Sequence, residues 1–159
     1  MKSLTQPTFS FIRIVLKTLV VGLFFLYAPV GADEINYYEQ EVIQRDIRKT
    51  FNILIQSWQE ELYFDMYDFG QQNSRKIITK ESFAQRMVEL KWKPGVGKKK
   101  VTIKKIKLLY RNYGLIFCDI EYHHKSIAKR HFKKEEVFPA ILENNQWKFD
   151  LTQIIRIPY

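Results

Sequence analysis

Six apolar residues, Ile43, Ile47, Phe51, Leu54, Trp58 and Leu62, follow one another at spacings of 4, 4, 3, 4 and 4. That spacing returns to one side of an α-helix at every step. Gln44, Arg45, Arg48, Lys49, Gln56 and Gln59 fill the other side. A helix with a single apolar stripe must bury it against a second element. From Lys98 onward the period falls from 3.6 to 2, the signature of strands, so the chain supplies that second element itself.

The helical part runs from Asn36 to Phe69, with a bend or restart near Glu60 that begins a short helix carrying Tyr63, Met66, Tyr67 and Phe69. Gly70 is a stop, since glycine tolerates the left-handed cap. Thr79 is an N-cap for a further helix with Glu81 in its first turn; Phe83, Met87 and Leu90 form its buried stripe and Lys91 to Gly95 ends it. Val101 to Tyr110 reads as a strand whose apolar phase switches at Lys104-Lys105, which predicts a β-bulge. Asn112-Tyr113-Gly114 turns into a second strand, Leu115 to His124, and residues 125–130 form a basic hairpin loop. His131 to Glu143 is the third strand and Asn144-Asn145 a tight turn with positive φ. Gln146 to Leu151 is the fourth, with Ile154, Ile155 and Ile157 continuing it or packing beneath. The expected fold is α+β: a long N-terminal helix plus short helices packed on a curved, antiparallel, four-stranded, cone-like meander.

Residues 1–32 have the three-part layout of a secretory signal peptide. Lys2, Arg13 and Lys17 are the positive region, Thr18 to Tyr27 the apolar run, and Val30-Gly31-Ala32 the small residues before cleavage. Residues 33–159 then form a single domain, exported to the periplasm or beyond. The alternative is an uncleaved segment that anchors the chain in the inner membrane, facing outward. The one cysteine, Cys118, excludes an internal disulfide and stands far from Ala32, where a lipid-anchored protein would need it.

Three of the 26 basic residues and none of the 17 acidic ones lie in the signal segment, so the remainder carries +6. Residues 33–69 hold nine acids and three bases, whereas residues 70–159 hold eight acids and twenty bases. Two basic clusters stand out: Lys98, Lys99, Lys100, Lys104, Lys105 and Lys107, and then Lys125, Lys129, Arg130, Lys133 and Lys134. Outside the cytoplasm, such clusters meet an anionic envelope component or an acidic protein. Nucleic acid is not expected, because few aromatics interleave with the clusters.

The helix ending in Trp58, the segment Tyr63-Phe64-Asp65-Met66-Tyr67, the helix built on Phe83 and Met87, and the closing Asn145-Gln146-Trp147-Lys148-Phe149-Asp150 together resemble the nuclear-transport-factor-2-like superfamily of cystatin-like cones. The resemblance covers about residues 36–155. It implies a cone-shaped cavity between helix and curled sheet, and Phe51, Trp58, Phe83, Tyr122 and Phe138 are the candidate lining of a small apolar pocket there. Members include isomerases, polyketide cyclases and dehydratases, and also many exported accessory domains without catalysis, so the fold alone assigns no reaction.

The residues themselves assign none either. Asp119, Glu121 and His123 alternate with Ile116, Cys118, Ile120 and Tyr122, so the carboxylates are expected outside the cone, in water. His124 is expected opposite His131 across the hairpin, but two imidazoles make only half a zinc site, so no metal and no cofactor are expected. Gly95-Val96-Gly97-Lys98 lacks phosphate-loop spacing, with Trp92 where the first glycine belongs and Lys99 where Ser or Thr belongs. The expected function is an exported, non-enzymatic binding or accessory domain of the bacterial cell envelope, with a basic face for an anionic partner. The alternatives are a small isomerase- or cyclase-type enzyme with a pocket acid or base, and a membrane-tethered assembly factor of a secretion machine.

Overall fold

Asn36 caps the first helix, α1 (Tyr37–Gln59), its side chain accepting from Glu39 N at 2.8 Å. The helix ends where predicted: Glu60 is the C-cap, and Glu61, at φ 62°, turns the chain into α2 (Tyr63–Asp68). The computed structural model describes residues 35–97, 100–127 and 129–156, so the signal segment and Ile157 lie outside the described residues. A short helix not expected from the sequence, α3 (Gln72–Ile77), comes next. It is followed by α4 (Lys80–Glu89), which Thr79 caps by accepting from Ser82 N.

The sheet has five strands rather than four: β1 (Trp92–Pro94), β2 (Val101–Tyr110), β3 (Tyr113–His124), β4 (His131–Glu143) and β5 (Gln146–Phe149). The extra strand, β1, is only three residues long, too short for its period to register. β1 and β2 both pair with the same edge of β3, so they form one edge strand interrupted by residues 95–100. The predicted bulge is present: the register passes from Ile103↔Cys118 to Lys105↔Phe117, leaving Lys104 extra. Asn144 and Asn145 adopt φ 51° and 60° in the β4–β5 turn. The last strand stops at Phe149, and Leu151 and Ile154 lie instead on a final helical turn, α5 (Leu151–Ile154), capped by Asp150 and buried. The architecture is α+β, with α1 laid across a curled antiparallel half-barrel.

α1 packs on the inner face of the sheet. Phe51 meets Phe138 and Phe149 with ring centroids 5.1 and 5.7 Å apart, and Trp58 meets Tyr122 at 6.0 Å. The helix can come this close because β3 carries glycine at the crossing; a Cβ on Gly114 would lie 3.1 Å from Ile47 Cδ1. Gln44 and Gln59 tie the polar side of α1 to the edge strand by donating to Ile106 O at 3.1 Å and Gly95 O at 2.6 Å. Phe51→Ala should destabilise the fold by about 3–5 kcal/mol, since it empties the centre of a filled core. A urea midpoint within error of wild type would contradict this account of the core.

Candidate functional site

The break in the edge strand is where the charged residues gather. Both sides of the break are tied to Glu121: Gly95 N donates to Glu121 O at 2.8 Å and Glu121 N donates to Lys100 O at 2.7 Å. A Cβ at position 95 would lie 2.5 Å from His123 Cδ2, so a larger residue there would have to displace the ring. Asp119, Glu121 and His123 do face away from α1, as alternation requires, but Glu121 is not in water. It is buried, Lys100 Nζ forms an ion pair with its Oε1, and His123 Nε2 lies 2.9 Å from the same oxygen. The ring stack across the hairpin is His123 with His131, paired in register and 5.5 Å apart, not His124 with His131. His124 turns inward onto the edge of Trp92. Among the described residues no three His, Cys, Asp or Glu side chains converge as metal ligands.

The basic residues divide by what they touch. Lys100 is held by Glu121, and Lys104 by Asp119 at 2.9 Å and Glu135 at 2.5 Å. Lys105 lies over the Phe117 ring. Lys125 donates to Met87 O at 2.7 Å and Val88 O at 3.3 Å, closing the C-terminal end of α4, and burial pushes its pKa down. Lys107, Lys129, Arg130 and Lys133 are exposed, with Arg130 over the Trp92 ring. Lys98 and Lys99 lie outside the described residues. The register Trp92↔His124 and His123↔His131 brings the start of the first cluster beside the hairpin that carries the second, while Lys104 to Lys107 run away along β2.

Phe51, Trp58, Phe83, Tyr122 and Phe138 are at most 1% exposed and pack against other core side chains. A cleft of about 730 Å³ lies elsewhere and is lined by none of the five. It runs between α1 and the β4–β5 end of the sheet, over Ile43, Phe69, Leu142 and Trp147, with Ile53 at its rim and Lys148 among its lining residues. Its sequence signal was faint: Ile53 is apolar but out of phase with the α1 stripe. A second feature also escaped the sequence reading. Glu136 pairs in register with Cys118, so it shares the inner face, where it is buried beside Lys134 at 2.9 Å. Burial, then the charge of Glu136, raises the pKa of Tyr122, and burial pushes the Cys118 thiol up to about 12. At that value the thiol is no nucleophile at neutral pH.

No protein-family model matches the chain, and no curated protein sequence matches it. Among the described residues no helix is long and apolar enough to cross a membrane.

Lys100 and then His123 hold the Glu121 carboxyl below the usual carboxylate range, against burial, which acts upward. A depressed carboxyl stabilises the fold above the ordinary value of about 4.3 and ceases to do so as pH falls through its lower folded value. Glu121→Gln should therefore lower stability at neutral pH and flatten the acid limb of the stability curve below about pH 4.3. A curve parallel to wild type across that range would remove the pairing from the account.

Proposed function

We propose that this chain is an exported, non-enzymatic binding module of the bacterial cell envelope, built on the cystatin-like cone of the nuclear-transport-factor-2-like superfamily. It engages an anionic envelope component through its basic end. The observation that carries this reading is the strand register. Residues 91–107 contain eight lysines and no acid, and residues 122–134 contain five basic residues and no acid. The pairing of β1 with the end of β3, next to the β3–β4 hairpin, sets the start of the first stretch beside the second, while Lys104 to Lys107 run away along β2. Internal partners consume Lys100, Lys104 and Lys125, which leaves Lys129, Arg130 and Lys133 presented outward. The layout of residues 1–32 supplies the address.

A second reading, a small isomerase- or cyclase-type enzyme, draws on Glu136, the inner-face carboxylate closest to the Tyr122 hydroxyl in electrostatic effect. Its ion pair with Lys134 and the filled core around it favour a structural role. Turnover of a carbonyl compound that disappears in Glu136→Gln would select the enzyme.

Contacts between exposed charges weaken once their separation exceeds the Debye length. The protein should bind anionic phospholipid vesicles or soluble poly-glutamate, with affinity dropping about tenfold or more as salt rises from roughly 0.05 to 0.3 M. Lys129→Glu, Arg130→Glu and Lys133→Glu combined should abolish binding and leave the circular dichroism spectrum unchanged. Binding that ignores both salt and the triple substitution would defeat the proposal.

A further inference from the structure

The outer face of the sheet changes character along its length. Toward the hairpin it carries Glu121, Asp119, Glu135 and their lysines. Toward the β2–β3 turn it is apolar. The register sets Phe117 opposite Val137, Leu115 opposite Pro139, Tyr113 opposite Ile141 and Tyr110 opposite Tyr113. All seven side chains therefore share the face turned away from α1. Their alternating neighbours Ile116, Phe138 and Ala140 are core residues, whereas none of the seven belongs to the core or packs against it. None is buried: Tyr110 is 66% and Val137 41% exposed, and the other five are half-buried. Apolar side chains scattered singly over a surface need no explanation, but seven contiguous ones on one face mark an interaction surface.

The charges around this patch say what fits it. Its β2 flank is basic: Lys105 lies over the Phe117 ring, and Lys107 pairs in register with Leu115. Neither makes an ion pair among the described residues. Its other flank carries Glu135, on β4, with a side chain 82% exposed. Lys104 is shared between Glu135 and Asp119, so that corner keeps one negative charge in excess. A patch with opposite signs on its two flanks complements itself, which is what a closed two-fold pair requires. An axis along the strands lays β2 of one copy over β4 of the other. Lys105 then faces the copy's Val137 and lies one same-face step, roughly 7 Å, from the copy's Glu135. An axis across the strands would lay β2 on β2 and set lysine against lysine.

We infer that a second copy of this chain docks here, face to face, with the outer sheets stacked and the two-fold axis along the strands. Size sets the strength of the pair. The apolar rows span roughly 20 Å along the strands and 15 Å across them, about 300 Å² of flat footprint. That is well under the roughly 800 Å² per partner of a stable complex, so the pair is reversible, with a dissociation constant of about 10–500 µM. The patch includes none of Lys129, Arg130 and Lys133, so the pairing does not depend on the function proposed for the basic end.

The test is sedimentation equilibrium of the purified native protein from about 5 µM to about 1 mM, with circular dichroism as the check on folding. The protein should be a monomer at the low end and shift to a dimer, with no larger species, at the high end. Val137→Lys should hold it monomeric throughout; if that variant misfolds, Tyr110→Lys, at a more exposed position, should do the same. Lys105→Glu and Glu135→Lys should each weaken the dimer at least about fivefold, because each sets like charges across the interface. The two together should restore it to within about twofold of wild type, since the swap re-creates the pair. A monomer at every concentration, growth beyond the dimer, or association that survives both Val137→Lys and Tyr110→Lys would overturn the inference. So would a charge swap without rescue, or a monomer that instead docks on neutral phospholipid vesicles through the same face.

Discussion

Everything else in this structure rests on the contact between α1 and the inner face of β3 and β4. Cys118 is the chain's single thiol, so no covalent staple is available and the core must hold by packing alone. Phe51 and Trp58 carry that contact, meeting Phe138, Phe149 and Tyr122 with the tilted ring geometries that aromatic pairs favour. The sheet must curl to wrap a helix of this girth. The extra residue at Lys104 and the glycine at 114 are the two local features that allow it.

Because the inner face is spent on the helix, charge collects on the outer one. There it forms an alternating pattern in which Lys100 faces Glu121 and Lys104 faces Asp119 and Glu135. The exposed pairs made by Lys104 add little stability. Their effect is to cancel field over the middle of the sheet, so that among the described residues unbalanced positive charge survives at the hairpin end and along β2 at Lys105 and Lys107. A strongly basic composition thus becomes a local feature rather than a general coating.

Periodic patterns were legible in the sequence. The α1 stripe, the Thr79 cap, the bulge at Lys104-Lys105 and the Asn144-Asn145 turn each depend on neighbours within a few residues. What was not legible depends on pairing between distant segments. β1 is too short to show a period, and its partner on β3 lies about thirty residues away. Glu121 alternates as an exposed residue should, yet it is buried, held by Gly95 and Lys100 from twenty or more residues earlier in the chain. The His123–His131 stack turns on a one-residue difference in hairpin register, and such a shift moves a side chain to the opposite face. The cleft joins residues near 40–53 with residues near 142–148, and no local spacing announces a surface assembled that way.

The interrupted edge has a consequence for how the molecule behaves in a crowd. A long, flat edge strand offers unpaired backbone groups to any other chain and invites sheet-to-sheet growth. Here the edge is cut at residues 95–100, kinked again at Lys104, and studded with Lys105 and Lys107. A second copy approaching that side meets like charge and a backbone that cannot stay in register for more than a few residues. The break that brings Gly95 and Lys100 to Glu121 therefore also works against growth of the sheet along this edge.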